Sequence, residues 1–230
     1  NNLTGRNLVP KYAPERAETV VEGITVQVGR TGVLTPVAEL HPVELAGSVI
    51  ARATLHNADE IARRDIRIGD HVWLVKAGDV IPAIESPIPE KRDGRELVFR
   101  MPDKCPECGA PVVRLADEVA ARCANPACPA QRLRRLEHFA SRGALDIRTI
   151  GDRVAEALVA KKFVSDPLDL FTLTEPVLES LDIGDAENGP RRFGKNAKTA
   201  LAALEAARSL PLARWLFATG IPNVGVTVAA

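Results

Sequence analysis

Four cysteines, Cys105, Cys108, Cys123 and Cys128, are the only ones in the chain and follow the pattern C-x2-C-x14-C-x4-C. Each close pair can place two thiolates on one side of a metal ion, and the segment between the pairs is long enough to return as a hairpin. Two disulfides or four buried thiols are the alternatives. Disulfides need an oxidising compartment, but the chain shows no secretory signal, and scattered core cysteines would not cluster in this way. The spacing therefore favours a structural zinc site, since four thiolates leave no position open for water or substrate.

The composition bounds the class of protein. The chain has 230 residues, of which 46% are apolar, and this length suits two or three compact domains. No apolar run approaches the length needed to span a membrane, so we expect no membrane partner. The 30 basic and 30 acidic residues balance, yet a local basic face could still bind nucleic acid. We expect a cytoplasmic monomer.

The first hundred residues carry the pattern of a small β-barrel. β-Branched residues alternate with others at 23–29, which predicts a half-buried strand. Glycine turns separate this segment from similar ones, and a helix is predicted among them at 57–64. The further strands are predicted at 40–45, 48–54, 71–76, 80–84 and 96–100. Short strands with glycine turns favour a five-stranded OB-type barrel over a sandwich.

The pattern after Cys128 is helical. Residues 130–142 place Leu133, Leu136 and Phe139 on one face of a helix, and Gly143 is a good stop for it. Further helices are predicted at 152–162, 175–181, 195–208 and 212–219. The second half of the chain is therefore predicted to be all-helical.

Glycines recur at the connectors between these helices. Gly151, Gly194, Gly220 and Gly225 each lie where one predicted helix gives way to the next. A glycine there lets the backbone approach a ligand, and the following helix offers free N–H groups, which together can hold a phosphate. The alternative is an ordinary interhelical turn with a capping glycine. The recurrence favours helix-hairpin-helix units that contact the nucleic-acid backbone without reading bases. We expect the last unit to be truncated at residue 230.

A lysine motif in the first half has the form of a nucleophile site. Lys91, Asp93 and Gly94 match K-x-D-G, which enzymes that carry AMP on lysine use. Asp-Gly before the predicted strand 96–100 is also typical of a hairpin turn, and a solvated lysine has no reason to lose its proton. We therefore predict a hairpin turn. The histidines show no metal or dyad spacing, and no Walker loop or dinucleotide fingerprint is present.

Several strings resemble one family closely. The strings VGRTG (28–32), ATLHNADEI (53–61) and KAGDVIP (76–82) are similar to the OB domain of bacterial NAD-dependent DNA ligases. The four cysteines, in Cys-Pro-x-Cys-Gly and Cys-x-Asn-Pro-x-Cys, resemble the zinc finger that follows it. Residues 131–143 and 146–158 resemble the opening of the helix-hairpin-helix domain of that family.

The resemblance implies a multidomain α+β protein. Its parts would be the end of an adenylation domain (1–15), an OB-fold domain (16–101), a four-cysteine zinc finger (102–129) and a truncated helix-hairpin-helix domain (130–230). The family seals nicks in duplex DNA in three steps. A lysine takes AMP from NAD, AMP passes to the 5′-phosphate at the nick, and the 3′-hydroxyl displaces it. The full enzyme would need NAD and Mg²⁺ beside structural zinc, and an adenylation domain of the same chain as partner.

The resemblance also implies roles for single residues. No catalytic residue is expected here; Lys11 would lie near the adenylate phosphate, and Lys76 near the DNA phosphates. Arg52, His56 and Asn57 would contact the minor groove of nicked DNA, with Arg52 equally well an ordinary surface charge. Gly151, Gly194, Gly220 and Gly225 would hold the duplex backbone. The polar stretch 184–193 departs from a compact hairpin before Gly194.

Two other functions remain open on the sequence. One is a free-standing, non-catalytic zinc module that binds duplex DNA, and the other is a zinc-ribbon adaptor between proteins. A DNA-binding chain of this kind would bind without sequence preference and with strong dependence on salt, because its contacts are to phosphates. An adaptor would not bind nucleic acid.

Overall fold

The computed structural model describes residues 15–76, 81–115, 118–184 and 189–230. The described chain divides into two compact units. Residues 15–27 and 35–101 form the first, called here the barrel unit, and residues 28–34 and 102–230 form the second, called here the finger–helix unit.

The barrel unit is built on an antiparallel sheet. Its strands are β1 (Glu15–Val28), β2 (Leu34–Leu45), β3 (Ser48–Thr54), β4 (Arg67–Ile68), β5 (His71–Lys76), β6 (Ala83–Pro87) and β7 (Leu97–Val98). Five of them pair in the order β3-β2-β1-β5-β6, and β4 pairs with β7. The predicted strands 48–54 and 71–76 are confirmed at both ends. The strand predicted at 80–84 is observed at 83–87, and Val80 lies outside the described residues.

Alternating side chains explain this sheet. Val21, Val72 and Leu74 are fully buried in one apolar cluster, while their immediate neighbours along each strand are partly or fully exposed. The predicted helix is α1 (Ala58–Arg64), which begins after Asn57.

A buried ion pair fixes the loop that carries the K-x-D-G motif. Asp70 is completely buried and accepts from Arg92 through both carboxylate oxygens, at 2.7 and 2.8 Å. Lys91 ends a 3-10 turn (Pro89–Lys91), and its ammonium contacts the carboxylate of Glu18. Gly94 has φ of +87°, as a turn requires, but the flanking strands β6 and β7 pair with β5 and β4, not with each other. The predicted turn is therefore present, and the predicted hairpin is wrong.

The finger–helix unit begins with a small hairpin, β8 (Val112–Arg114) and β9 (Ala121–Cys123). Its helices are α2 (Pro129–Ala140), α3 (Asp152–Ala160), α4 (Glu175–Ser180), α5 (Asn196–Ala207), α6 (Leu212–Ala218) and α7 (Val226–Ala229). A 3-10 helix, Pro167–Thr172, was not predicted. The stop predicted at Gly143 is wrong, because α2 ends at Ala140 and Ser141 caps it through the carbonyl of His138.

The helices share one apolar core. Leu136, Leu158, Leu170 and Leu178 are among its fully buried members, spread over four successive helical segments. In the described residues no helix is both long and apolar enough to cross a membrane.

Candidate metal centre and nucleic-acid interface

The first cysteine pair lies in a tight turn. The N–H of Cys105 donates to the carbonyl of Ala110 at 2.8 Å, and Gly109 returns an N–H to the carbonyl of Cys105 at 2.9 Å. Gly109 has φ of +69°, a left-handed conformation that glycine adopts without steric cost. The turn therefore places the thiols of Cys105 and Cys108 on the same side of the backbone.

The second pair is positioned by the hairpin and by α2. Cys123 ends β9 directly opposite Val112, and Cys128 is the residue that precedes the first turn of α2. Between them, Asn125 accepts the N–H of Cys128 through its carbonyl and the N–H of Ala127 through its side chain. Pro129 occupies the first position of α2, where a missing N–H costs nothing.

The four sulfur atoms converge. All lie within 4.8 Å of one another, with 3.9 Å between Cys105 and Cys128 and 3.5 Å between Cys108 and Cys123. Zinc–sulfur bonds of about 2.3 Å in a tetrahedron would put neighbouring sulfurs about 3.8 Å apart. No cysteine forms a disulfide. The donor set and its spacing therefore fit zinc, which these four thiolates would hold in a closed site.

The thiols differ in their readiness to ionise. Backbone hydrogen bonding from Ala110 lowers the pKa of Cys108 to about 7, whereas burial raises the pKa of Cys128 to about 12 and also raises that of Cys123. A divalent cation supplies the charge that buried thiolates lack. Metal binding must therefore release protons from this site, and its affinity must fall with falling pH.

Two predicted DNA contacts of the barrel unit differ in whether their side chains are already paired. Arg52 lies directly opposite Glu39 across β3 and β2 and forms a bidentate ion pair with it, at 2.7 and 2.9 Å. Its charge is therefore already neutralised. His56 is exposed, and within the described residues its imidazole has no hydrogen-bond partner. It has φ of +62°, an uncommon value for a residue with a side chain.

The remaining predicted contacts of that unit are placed as follows. Asn57 caps α1 by accepting the N–H of Glu60 at 2.8 Å, which leaves its amide NH₂ group uncommitted to that bond. Lys76 ends β5, half-buried. Lys11 lies outside the described residues.

Two helix connectors share one backbone geometry. The first connector, 146–151, leads into α3, and the second, 220–225, leads into α7. The N–H of Ile150 donates to Ile147 in the first, as Val224 donates to Ile221 in the second. Gly151 has φ of −83° and ψ of −179°, and Gly225, 74 positions later, has −83° and 179°. Of the glycine connectors predicted from the sequence, these two thus share one backbone structure.

The four predicted glycines fall into two classes. Gly151 and Gly225 are exposed, have ordinary extended backbone, and a Cβ on either would meet nothing within 4 Å. The fold alone does not require glycine at these two positions. Gly194 and Gly220 have φ of +55° and +68°, and a Cβ on Gly220 would lie 2.9 Å from the guanidinium of Arg30. The left-handed backbone conformation accounts for the presence of glycine at positions 194 and 220.

The domains match one protein family. Residues 18–96 match the OB-fold domain of NAD-dependent DNA ligases, and residues 104–130 match the C4 zinc finger domain of the same ligases. The chain carries the OB-fold and zinc-finger domains of NAD-dependent DNA ligases. The zinc-finger match and the cysteine cluster together identify a structural zinc site in this chain.

Individual relatives agree with this assignment. The chain is 53% identical over 224 residues to a DNA ligase of Akkermansia muciniphila, which covers 95% of this chain and 28% of that protein. It is 47% identical over 219 residues to DNA ligase 1 of Opitutus terrae, covering 95% of the chain and 31% of the relative. The chain thus spans less than a third of the length of these relatives.

Sequence reasoning missed two sets of contacts. Arg30 stands in the VGRTG string but was given no role, and it donates to the carbonyl of Gly220 at 2.7 Å. The Asp70–Arg92 pair was also missed. No spacing rule finds the arginine that pairs with an aspartate placed directly before a strand, as Asp70 is, whereas the unusual string around Arg30 was a usable signal.

Proposed function

We propose that the chain is the DNA-binding portion of an enzyme that seals nicks between a 5′-phosphate and a 3′-hydroxyl in duplex DNA, with AMP taken from NAD. The observation that carries the proposal is the pair of matching connectors, in a chain with the OB-fold and zinc-finger domains of NAD-dependent DNA ligases. In the proposal these connectors are helix-hairpin-helix units.

The chemistry of the connectors supports phosphate binding. Where a helix begins, its first N–H groups have no intrahelical acceptor, and they point towards any anion placed there. Gly151 and Gly225 immediately precede α3 and α7, and without side chains they let a phosphate oxygen approach these groups. Such contacts carry no base specificity, so binding is independent of sequence and weakens steeply with salt.

The barrel unit contributes polar side chains in this proposal. His56 and the amide of Asn57 reach the DNA at the nick, and Lys76 pairs with a phosphate. Arg52 contributes less, because a phosphate must compete with Glu39 for it. Gly194 and Gly220 shape the backbone and do not touch DNA.

The rest of the enzyme lies outside the described residues. In the proposal an adenylation domain of the same chain carries the nucleophilic lysine, uses NAD and Mg²⁺, and includes Lys11 near the adenylate phosphate. In the proposal Lys91 is not that nucleophile, because it ends a short surface turn and forms an ion pair with Glu18.

Two measurements test the proposal. The full-length gene product should seal a nicked duplex with NAD and Mg²⁺, and the Lys91→Ala variant should seal it equally well. The 230-residue chain should bind nicked duplex with an affinity that drops at least tenfold between 50 and 200 mM salt. Binding without sealing by the full-length product would favour a non-catalytic module, and the absence of binding would favour a protein adaptor.

A further inference from the structure

The loop 28–34 folds with the zinc finger. The N–H of Cys123 donates to the carbonyl of Gly32 at 2.9 Å, and Val33 forms a β-bridge with Arg122. Gly32 has φ of +82°, and a Cβ there would lie 3.0 Å from both the carbonyl oxygen of Cys123 and the Nε2 of Gln131. The loop is thus fitted closely against a metal ligand.

The same loop holds the second connector. Arg30 Nη1 donates to the carbonyl of Gly220 at 2.7 Å, across 190 residues of sequence. Gly220 begins the connector, just beyond the end of α6, where a cation interacts favourably with the helix dipole. His138 contacts the carbonyl of Phe217 through Nε2 at 2.8 Å, so two side chains hold the same helix end.

We propose that the loop 28–34 is a clasp through which the metal-bound finger positions the second connector, with Arg30 as the positioning residue. No described residue of the finger (102–129) belongs to either apolar core cluster, so we expect its conformation to depend on the metal. Gly32 contacts the finger and therefore adopts a conformation that depends on the metal. Arg30, two positions from the carbonyl that Cys123 holds, passes that constraint on to Gly220. The proposal goes beyond DNA binding and is tested without DNA.

The first test is hydrogen exchange on the zinc-loaded chain with Arg30→Met. Loss of a charged donor to the Gly220 carbonyl should speed exchange in residues 219–226 about tenfold, with one zinc retained per chain. Arg148→Met is the matched control, since Arg148 is an exposed arginine of the first connector paired locally with Asp146. It should leave 219–226 unchanged. Equal exchange in the two variants, with zinc retained, would overturn the proposal.

The second test asks whether the two ends of the loop act together. Gly32→Ala, whose Cβ presses on Cys123, should also speed exchange in 219–226. The double variant Gly32→Ala, Arg30→Met should exchange there no faster than Arg30→Met alone, because both changes break one path. If the two substitutions had additive effects on exchange of these amides, Gly32 and Arg30 would not act through one path.

A third test needs no variant and so does not depend on any variant folding. Trypsin should cleave the Arg30–Thr31 bond slowly in the zinc-loaded chain and at least tenfold faster after chelation. The exposed Arg95–Glu96 bond of the barrel unit should be cut at one rate in both states and serves as the internal control. Equal cleavage after Arg30 with and without zinc would overturn the proposal.

Discussion

The two units use arginine in different ways. In the barrel unit, some arginines pair with carboxylates distant in sequence, as Arg92 does with Asp70 and Arg52 with Glu39, beside local pairs such as Arg63 with Glu60. In the finger–helix unit, arginine–carboxylate pairs between described residues span four positions or fewer, as for Arg134 and Glu137. Three of its arginines, Arg30, Arg135 and Arg214, instead donate to backbone carbonyls distant in sequence.

This difference follows from what each unit must stabilise. A sheet satisfies its own backbone, so polar side chains that meet on it pair with one another. Helices joined by short connectors leave carbonyls unpaired at their ends, and the five donors of an arginine can reach them from elsewhere in the fold. Arginines of the second unit therefore set the shape of connectors, while the connectors' own backbone remains available for phosphate.

The largest effect should come from the metal. Cys128→Ser removes one zinc ligand, and structural zinc sites contribute about 10 kcal/mol or more to folding. Exchange protection should disappear in β8, β9 and the start of α2, while the barrel unit keeps its protection because its apolar cluster needs no metal. Equal loss of exchange protection in both units would show that they do not differ in their dependence on the metal.

Breaking the buried pair of the barrel unit should rank next. Asp70→Asn removes the buried carboxylate of this pair and leaves Arg92 only the more exposed Asp65, which should lower the free energy of unfolding by about 3–5 kcal/mol. Asp93→Asn is the control from the same loop, since Asp93 pairs with Arg95 in solvent and should matter far less. Urea unfolding of both variants measures the difference; similar losses would contradict the ranking.

Loss of an arginine that donates to backbone carbonyls should lower stability less and only locally. Arg214 donates to the carbonyls of Arg142 and Ala144 just before the first connector. Arg214→Met should cost about 1–2 kcal/mol and speed exchange at Ile150 while sparing Val224. Arg208→Met, which removes an exposed arginine paired only with nearby Glu205 and stacked on Phe171, should not change Ile150. Faster exchange in both connectors would show that Arg214 does not stabilise the first connector alone.

The smallest effect concerns a solvent-exposed pair. Arg63 and then Arg64 lower the pKa of Glu60 to about 2, from 4.5. Because the pKa is lower in the folded state, the contribution to stability is present above about pH 4.5 and is lost as pH falls through 2. The difference in unfolding free energy between the protein and Glu60→Gln should shrink over that window. A constant difference from pH 6 to pH 2 would contradict this.

The sequence predicted local chemistry well. Cysteine spacing alone indicated a four-thiolate zinc site, because ligand pairs in such sites are close in sequence. Alternation gave strands 48–54 and 71–76, and helical periodicity gave every helix of the second unit except the 3-10 helix and α7. The stop at Gly143 failed because Ser141 ends the helix first.

What it did not predict depends on the path of the backbone. Nothing near Gly194 or Gly151 in the sequence reveals that one is left-handed and the other extended, yet that difference decides at which of them the backbone itself favours glycine. The contact of Arg30 with Gly220 joins two turns that sequence reasoning treated separately. Such contacts are set by tertiary packing and leave no periodic trace.

The measurement that bears most directly on the account is duplex binding by the zinc-loaded chain carrying Gly151→Val and Gly225→Val together. A Cβ at either position meets nothing within 4 Å, so the variant should stay folded and zinc-loaded, but its side chains should block phosphates at both connectors. The account predicts at least tenfold weaker binding of nicked duplex and a shallower salt dependence. Unchanged affinity, with the fold and zinc intact, would show that these glycines do not contact DNA.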